Sequence, residues 1–190
     1  MAGQDSTELV VASHGDIYVA PIGTPKPDAV DDALDTAFQS LGLVTEDGVT
    51  ITVTPEIESF MAWQRRQAVR RELVNQEIQA AFTLEQWNAE NVILAFQGGT
   101  VVDLGGGEYR FDAPGGDDAL DERIMVIDWQ DGPNSLHRML FHRGNVMEAV
   151  EFQLVRNALA VLPITFGILA PDEGDGSPFS YWTSDAAFHS

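Results

Sequence analysis

The chain has 190 residues, 44% of them hydrophobic, enough to build one self-sufficient domain that buries roughly 70% of the surface its unfolded form exposes. Thirty acidic residues against ten basic ones give a net charge of −20, a surface that repels nucleic acid and anionic membrane. Cysteine is absent, which excludes disulfides and thiolate metal sites, and the longest apolar run, Ala158 to Ala170, is too short for a bilayer span and is broken by Pro163 and Gly167.

Residues 1–8 are polar, without the basic and apolar regions of a secretory signal, and are expected to be flexible. Gly15 to Pro21 reads as a first strand. Ile22 to Ser40 is rich in Pro and Asp, and its stretch from Asp28 to Phe38 has room for a short helix. Asp47-Gly48 is a turn pair, and Val49 to Thr54 alternates β-branched apolar residues with threonine as a half-buried strand does. From Pro55 to about Asn75 the pattern gives way to a long charged excursion, carrying Phe60, Met61 and Trp63 beside Arg65, Arg66, Arg70 and Arg71. Alternation resumes with Ile78, Ala80, Phe82 and Leu84 on one face.

Thr83 followed by Gln86 has capping-box spacing and predicts a helix over 84–97, with Gly98 placed to close it. On a helical wheel Trp87 and Leu94 fall together, while Ala89, Val92 and Phe96 form a second apolar patch. Two readings stay open: a helix sunk in its own core, or one patch on the sheet and Trp87, Val92, Leu94 and Phe96 available to a neighbouring subunit. Short strands follow at Thr100 to Leu104, Gly107 to Asp112, Arg123 to Trp129, Leu136 to Arg143, Val146 to Leu154 and Ala158 to Phe166. They are separated by Gly105-Gly106-Gly107, Gly115-Gly116-Asp117-Asp118, Asp131-Gly132-Pro133-Asn134 and the hairpin pair Gly144-Asn145. No repeat or linker divides the chain, so the expectation is a single domain over 1–190, mainly β with one flanking α-helix, folded as an antiparallel β-sandwich or barrel with one long inter-strand loop.

Chemistry finds little support. His137, His142 and Glu148 are the residue types of a two-histidine, one-carboxylate metal site on a small β-barrel enzyme. An odd separation of five puts the two histidines on opposite faces of one strand, which argues against shared ligation. Asp172-Glu173-Gly174-Asp175-Gly176 and Asp117-Asp118 resemble calcium loops superficially, but Thr183 stands where a loop from Asp172 needs its bidentate glutamate, so solvated acidic turns are expected. The glycine clusters lack the lysine and the strand-to-helix setting of a phosphate cradle, and there is no nucleophile elbow. No catalytic residue, metal or cofactor is assigned.

The arginine cluster is the informative exception. Nine of the ten basic residues are arginine, and four of them sit in the 55–75 excursion. A basic projection on an acidic body is self-complementary, and copies that dock head to tail propagate into rings or filaments. Phe60, Met61 and Trp63 supply the aromatic and aliphatic anchors of an interface centre.

In Gly42-Leu43-Val44-Thr45-Glu46-Asp47-Gly48-Val49, the Ala62-Trp63-Gln64 triplet, Val69-Arg70, and Phe82-Thr83-Leu84-Glu85-Gln86-Trp87-Asn88 leading into Val92 to Phe96, the chain resembles the major tail tube proteins of long-tailed, non-contractile bacteriophages. The likeness covers roughly Asp16 to Gly99 and rests on the order of several short matches. It implies a β-sandwich with one flanking helix, assembled as hexameric rings stacked into a hollow tube around a tape-measure protein. A long inter-strand loop reaches the adjacent ring, a place that 55–75 occupies here, with Phe60, Met61, Trp63, Arg65, Arg66, Arg70 and Arg71 as contact candidates. Further partners implied are a tail terminator and baseplate or tail-tip proteins, with double-stranded DNA only as passing cargo and no membrane. The implied location is the virion tail, with assembly in the host cytoplasm. A terminator ring is the nearest alternative role. The C-terminal arm, 171–190, departs from shorter family members: it has no basic residue and carries Phe179, Tyr181, Trp182 and Phe188, suited to clamping a neighbour or closing its own core.

Overall fold

Alternation of apolar residues turns into burial along the middle strands. The computed structural model describes residues 9–116, 119–132, 135–148, 150–171, 176–185 and 188. In chain order it has β1 (His14–Pro21), β2 (Gln39–Ser40), β3 (Val44–Met61), β4 (Ala68–Leu84), α1 (Ala89–Ala95), β5 (Thr100–Gly105), β6 (Glu108–Asp112), β7 (Arg123–Asp131), β8 (Ser135–Val146), β9 (Leu162–Ile168) and β10 (Phe179–Thr183). Every strand pairing is antiparallel, in the order β2-β1-β7-β8-β9-β4-β3 with β10 added on β8, while β5 and β6 form a separate hairpin. The expected mainly β, sandwich-type architecture with one helix is what the chain adopts.

Two faces of one layer explain the packing. Ile17 and Val19 of β1, Met125 and Ile127 of β7 and Phe141 of β8 pack with Ile78, Ala80, Phe82 and Leu84 of β4 and Leu162, Ile164 and Phe166 of β9, so the β1-β7-β8 layer lies against the β4-β9 layer. Their neighbours along the same strands, Ala20, Ile124, Val126 and Leu140, face the other way and meet Phe38, Leu34 and Trp182. Strand β8 serves both layers. Most of its length pairs with β7, and its last residues, Gly144 to Val146, pair with Ile168 to Phe166 of β9. A Cβ at Gly144 would run into the Phe166 ring and the Gly167 carbonyl, so the crossing requires glycine. Gly144-Asn145 is therefore inside a strand and not the expected hairpin turn. Where a strand from Val146 to Leu154 was expected, β8 ends at Val146, and the last strand before the C-terminal arm begins at Leu162 instead of Ala158.

The Asp-rich segment forms turns and no helix. Asp32 accepts from the Asp28 amide at 2.8 Å and Asp35 from the Ala37 amide at 2.9 Å, local bonds that compete with helical ones. The buried Arg138 then pins this segment to the sheet, donating to the carbonyls of Ala29 at 3.0 Å and Asp32 at 2.7 Å and bidentately to Asp128 at 2.8 Å. That carboxylate hydrogen bond outweighs burial and raises the Arg138 pKa above its usual value.

The helix is shorter than 84–97. Thr83 and Leu84 remain in β4, opposite Pro163 and Leu162, and the Gln86 side chain accepts from the Leu43 amide instead of closing a capping box. Asn88 is the N-cap, accepting from the Asn91 amide at 2.8 Å. At the other end Gln97 takes the left-handed conformation, φ 58°, and the Gly98 amide bonds Ile93 O at 2.8 Å while that of Gln97 bonds Leu94 O at 3.1 Å. This is a Schellman ending, with Gly98 just beyond the left-handed residue.

Candidate assembly surfaces

The excursion at 55–75 is not a loop. Pairing between β3 and β4 continues from Val49↔Phe82 to Met61↔Ala68, with bulges beside Ile57 and Met61, so the segment is a long two-stranded arm turning at residues 62–67. Its sequence is charged because both faces meet solvent, which hides the alternation a half-buried strand displays. Strand β9 supports β4 only from Gln79 to Leu84, leaving the arm beyond that point with no third strand. A ribbon of this kind is marginal alone in water. Asp47-Gly48, expected as a turn, lies in an irregularity of β3 between Val44 and Val49.

The arm displays what a neighbour would bury. Ile51, Val53 and Ile57 alternate onto one face, Leu73 is opposite Ile57, and all four are exposed. Phe60 and Met61 are also exposed, and Trp63 is wholly so at 100%. Charge is sorted in the same sense. In the body, Arg123 bonds Asp121 and Glu90, both at 2.8 Å, Arg143 bonds Glu122 at 2.7 Å, and Arg138 bonds Asp128. Burial pulls the Arg123 pKa down, but its two carboxylates outweigh that and leave it raised; the hydrogen bond from Arg143 holds the Glu122 carboxyl below its usual range. On the arm, Arg70 has a loose partner in Glu72 at 3.5 Å, and Arg65, Arg66 and Arg71 have no carboxylate partner among the described residues. The candidates singled out from sequence, Phe60 to Arg71, thus sit together at one end of one arm.

The helix candidates separate. Leu94 is buried in the main core at 1% exposure and is unavailable to any neighbour, whereas Trp87 precedes the helix, so a wheel does not place it. Trp87 packs edge-on against Phe152 at 5.0 Å and donates to Ala160 O at 2.7 Å. Phe96 lies 5.4 Å from Phe111 of β6, and Trp87 and Val92 line a shallow groove with Val101, Tyr109 and Phe111. The β5-β6 hairpin and the stretch around Phe152 thereby cover part of the second patch within the chain.

The three residues of the metalloenzyme alternative are not brought together. His137 Nδ1 is 2.7 Å from the Tyr181 hydroxyl on one face of β8, and its ring stacks on Trp129 at 5.2 Å. His142 Nε2 is 3.0 Å from the Ser180 hydroxyl on the other face, and Glu148 accepts from Thr165 at 3.1 Å. Among the described residues no group of His, Asp and Glu has metal-binding geometry. The acidic turns at Asp117-Asp118 and Asp172 to Asp175, the N-terminal residues 1–8, and parts of 171–190 lie outside the described residues. Within the C-terminal arm, Phe179 to Thr183 forms β10 on β8, closing the chain's own sheet. Sequence reading missed this strand, although alternating Phe179, Tyr181 and Thr183 carried its period.

A family model described as phage tail tube protein matches residues 1–189 of this β-sandwich chain. The chain belongs to the phage tail tube protein family. The match spans the C-terminal half as well, beyond the stretch whose short motifs carry the resemblance. No curated protein matches the chain. As a tail tube protein it is a structural component of the virion tail and assembles with itself and with other tail components; the family is not an enzyme class. No helix among the described residues is long and apolar enough to cross a membrane.

Proposed function

We propose that six copies of this chain close into a ring and that rings stack, arm against neighbouring ring, into the hollow tube of a long-tailed, non-contractile phage. The observation that carries the reading is the arm itself: an unsupported ribbon with an exposed apolar row and with Arg65, Arg66 and Arg71 lacking a carboxylate partner among the described residues, on a chain of net charge −20. A free protein gains nothing from such a feature, and a stack of identical acidic bodies does. A tape-measure protein fills the lumen during assembly in the host cytoplasm, and terminator and tail-tip proteins finish the ends. DNA then passes through without sticking. Six copies at −20 carry −120 per ring, and carboxylates facing the lumen repel phosphates.

Negative-stain electron microscopy of concentrated protein tests this directly, with tubes as the expected result. Single rings at every concentration mark a terminator-type part, and monomers throughout overturn the assembly reading. Reversing Arg65, Arg66, Arg70 and Arg71 to Glu removes stacking and leaves circular dichroism and Tm unchanged, since all four side chains are exposed. Normal tube growth by that variant removes the role of the arm.

A further inference from the structure

At the base of the arm, opposite in position to its tip, the structure has an open apolar cavity. Val49 and Ile51 of β3 meet Ile17 of β1, Ile127 and Trp129 of β7 and Ala12 around a space of about 240 Å³. Its lining is almost wholly hydrocarbon and aromatic ring, apart from Asp16. Exposed Glu46 and Asp47 adjoin it in sequence through Gly48, another of its lining residues. Leaving such a hollow filled with water costs free energy that an inserted aromatic ring recovers.

At the tip, Trp63 is wholly exposed, with Arg65 and Arg66 two and three residues on. We propose that this cavity is the receptacle for Trp63 of a second copy of the chain, an inference that rests on the tube reading above and names where the arm lands. Three observations support it. The cavity has room for an indole and offers Trp129 as a floor. The acids around it match Arg65 and Arg66, which have no carboxylate partner among the described residues. The third is reach: from Ile51 to Met61 the paired strand spans roughly 33 Å at about 3.3 Å per residue, and cross-strand bonds hold it extended. Trp63 is therefore held far from the cavity of its own chain. A knob and a socket at opposite ends of one extended ribbon make a heterologous contact, which keeps adding copies where its rotation does not close. A buried tryptophan ringed by charge pairs is also the usual composition of an energetic centre in an interface.

Two experiments decide it. The chain has no cysteine, so mixing Gln64→Cys and Ala12→Cys proteins and oxidising assembled tubes reports only that contact. A covalent dimer joining the two variants is expected. In parallel, Trp63→Ala is expected to raise the protein concentration needed for tube growth at least about tenfold, with Trp63→Phe in between and the circular dichroism of both unchanged. Tubes that form without the 64-to-12 cross-link, or Trp63→Ala tubes that grow at the parental concentration, overturn the receptacle. Either result gives the cavity another occupant, such as the exposed Leu9 to Val11 of a neighbour, and leaves the tube standing. Failure of the unsubstituted chain to form tubes instead sinks the tube reading and this inference with it.

Discussion

Arg138 bolts the Asp-rich segment to the sheet by hydrogen bonds, and Arg138→Met isolates that function because the methionine keeps most of the aliphatic stem. The side chain is 6% exposed and its guanidinium makes four hydrogen bonds, two to Asp128 and one each to the carbonyls of Ala29 and Asp32. Removing one partner of a buried ion pair costs about 3–5 kcal/mol. Asp128 is 28% exposed and retains some water, which argues for the low end, and the two carbonyls belong to a surface segment that water can reach. The expected loss is about 3 kcal/mol. With a urea m-value near about 3 kcal/mol/M for a chain of this size, the unfolding midpoint falls by about 1 M. Urea unfolding followed by tryptophan fluorescence, at protein concentrations below assembly, measures it. Asp128→Asn is expected to cost less, and the double variant less than the sum of the two, with coupling above about 1 kcal/mol. A midpoint shift under about 0.3 M for Arg138→Met, or strict additivity in the cycle, refutes the argument that this ion pair holds the segment.

Two other outcomes follow from polar contacts in the body. Asn91 is fully buried and its amide donates to Leu41 O at 3.0 Å and Gln86 O at 2.7 Å, so Asn91→Leu strands two carbonyls and is expected to cost about 2 kcal/mol, read as a Tm lower by about 4–8 °C. For Glu122, the hydrogen bond from Arg143 lowers the carboxyl pKa on folding, so its contribution is present above the unfolded pKa and is lost as pH falls through the folded one. Acid also relieves the repulsion of a chain at −20, so the parent curve alone is ambiguous. The stability difference between the parent and Glu122→Gln is the clean measure: it is expected to be largest at neutral pH and to shrink on acidification, and a difference independent of pH contradicts the pairing.

Local pattern was enough for much of the molecule. Ile78, Ala80, Phe82 and Leu84 alternate because one face of β4 meets the core, and the same period marked β1, β5, β6 and β7 within a residue or two. The odd spacing of His137 and His142 put them on opposite faces of β8, as found, since strand geometry at that range depends on nothing beyond the strand itself. Phe60 to Arg71, neighbours in sequence, gather at one end of the arm because the strand pairing there is local.

What the sequence left undecided lies where two segments distant along the chain choose each other. Pro55 to Asn75 read as loop because an arm wet on both faces has no alternation, and only its pairing, Glu56 with Asn75 and Ser59 with Arg71, makes it strand. The helix starts at Ala89 because pairing with β9 holds Thr83 and Leu84 in the sheet against a helical capping signal. Gly144-Asn145 has the residues of a turn, yet Phe166 packed on Gly144 carries β8 straight through it. Propensity and period are properties of a few neighbouring residues and can be read from them. Which edge a strand pairs with, and what the space above a glycine holds, are set by the whole packed chain and exist only once it has folded.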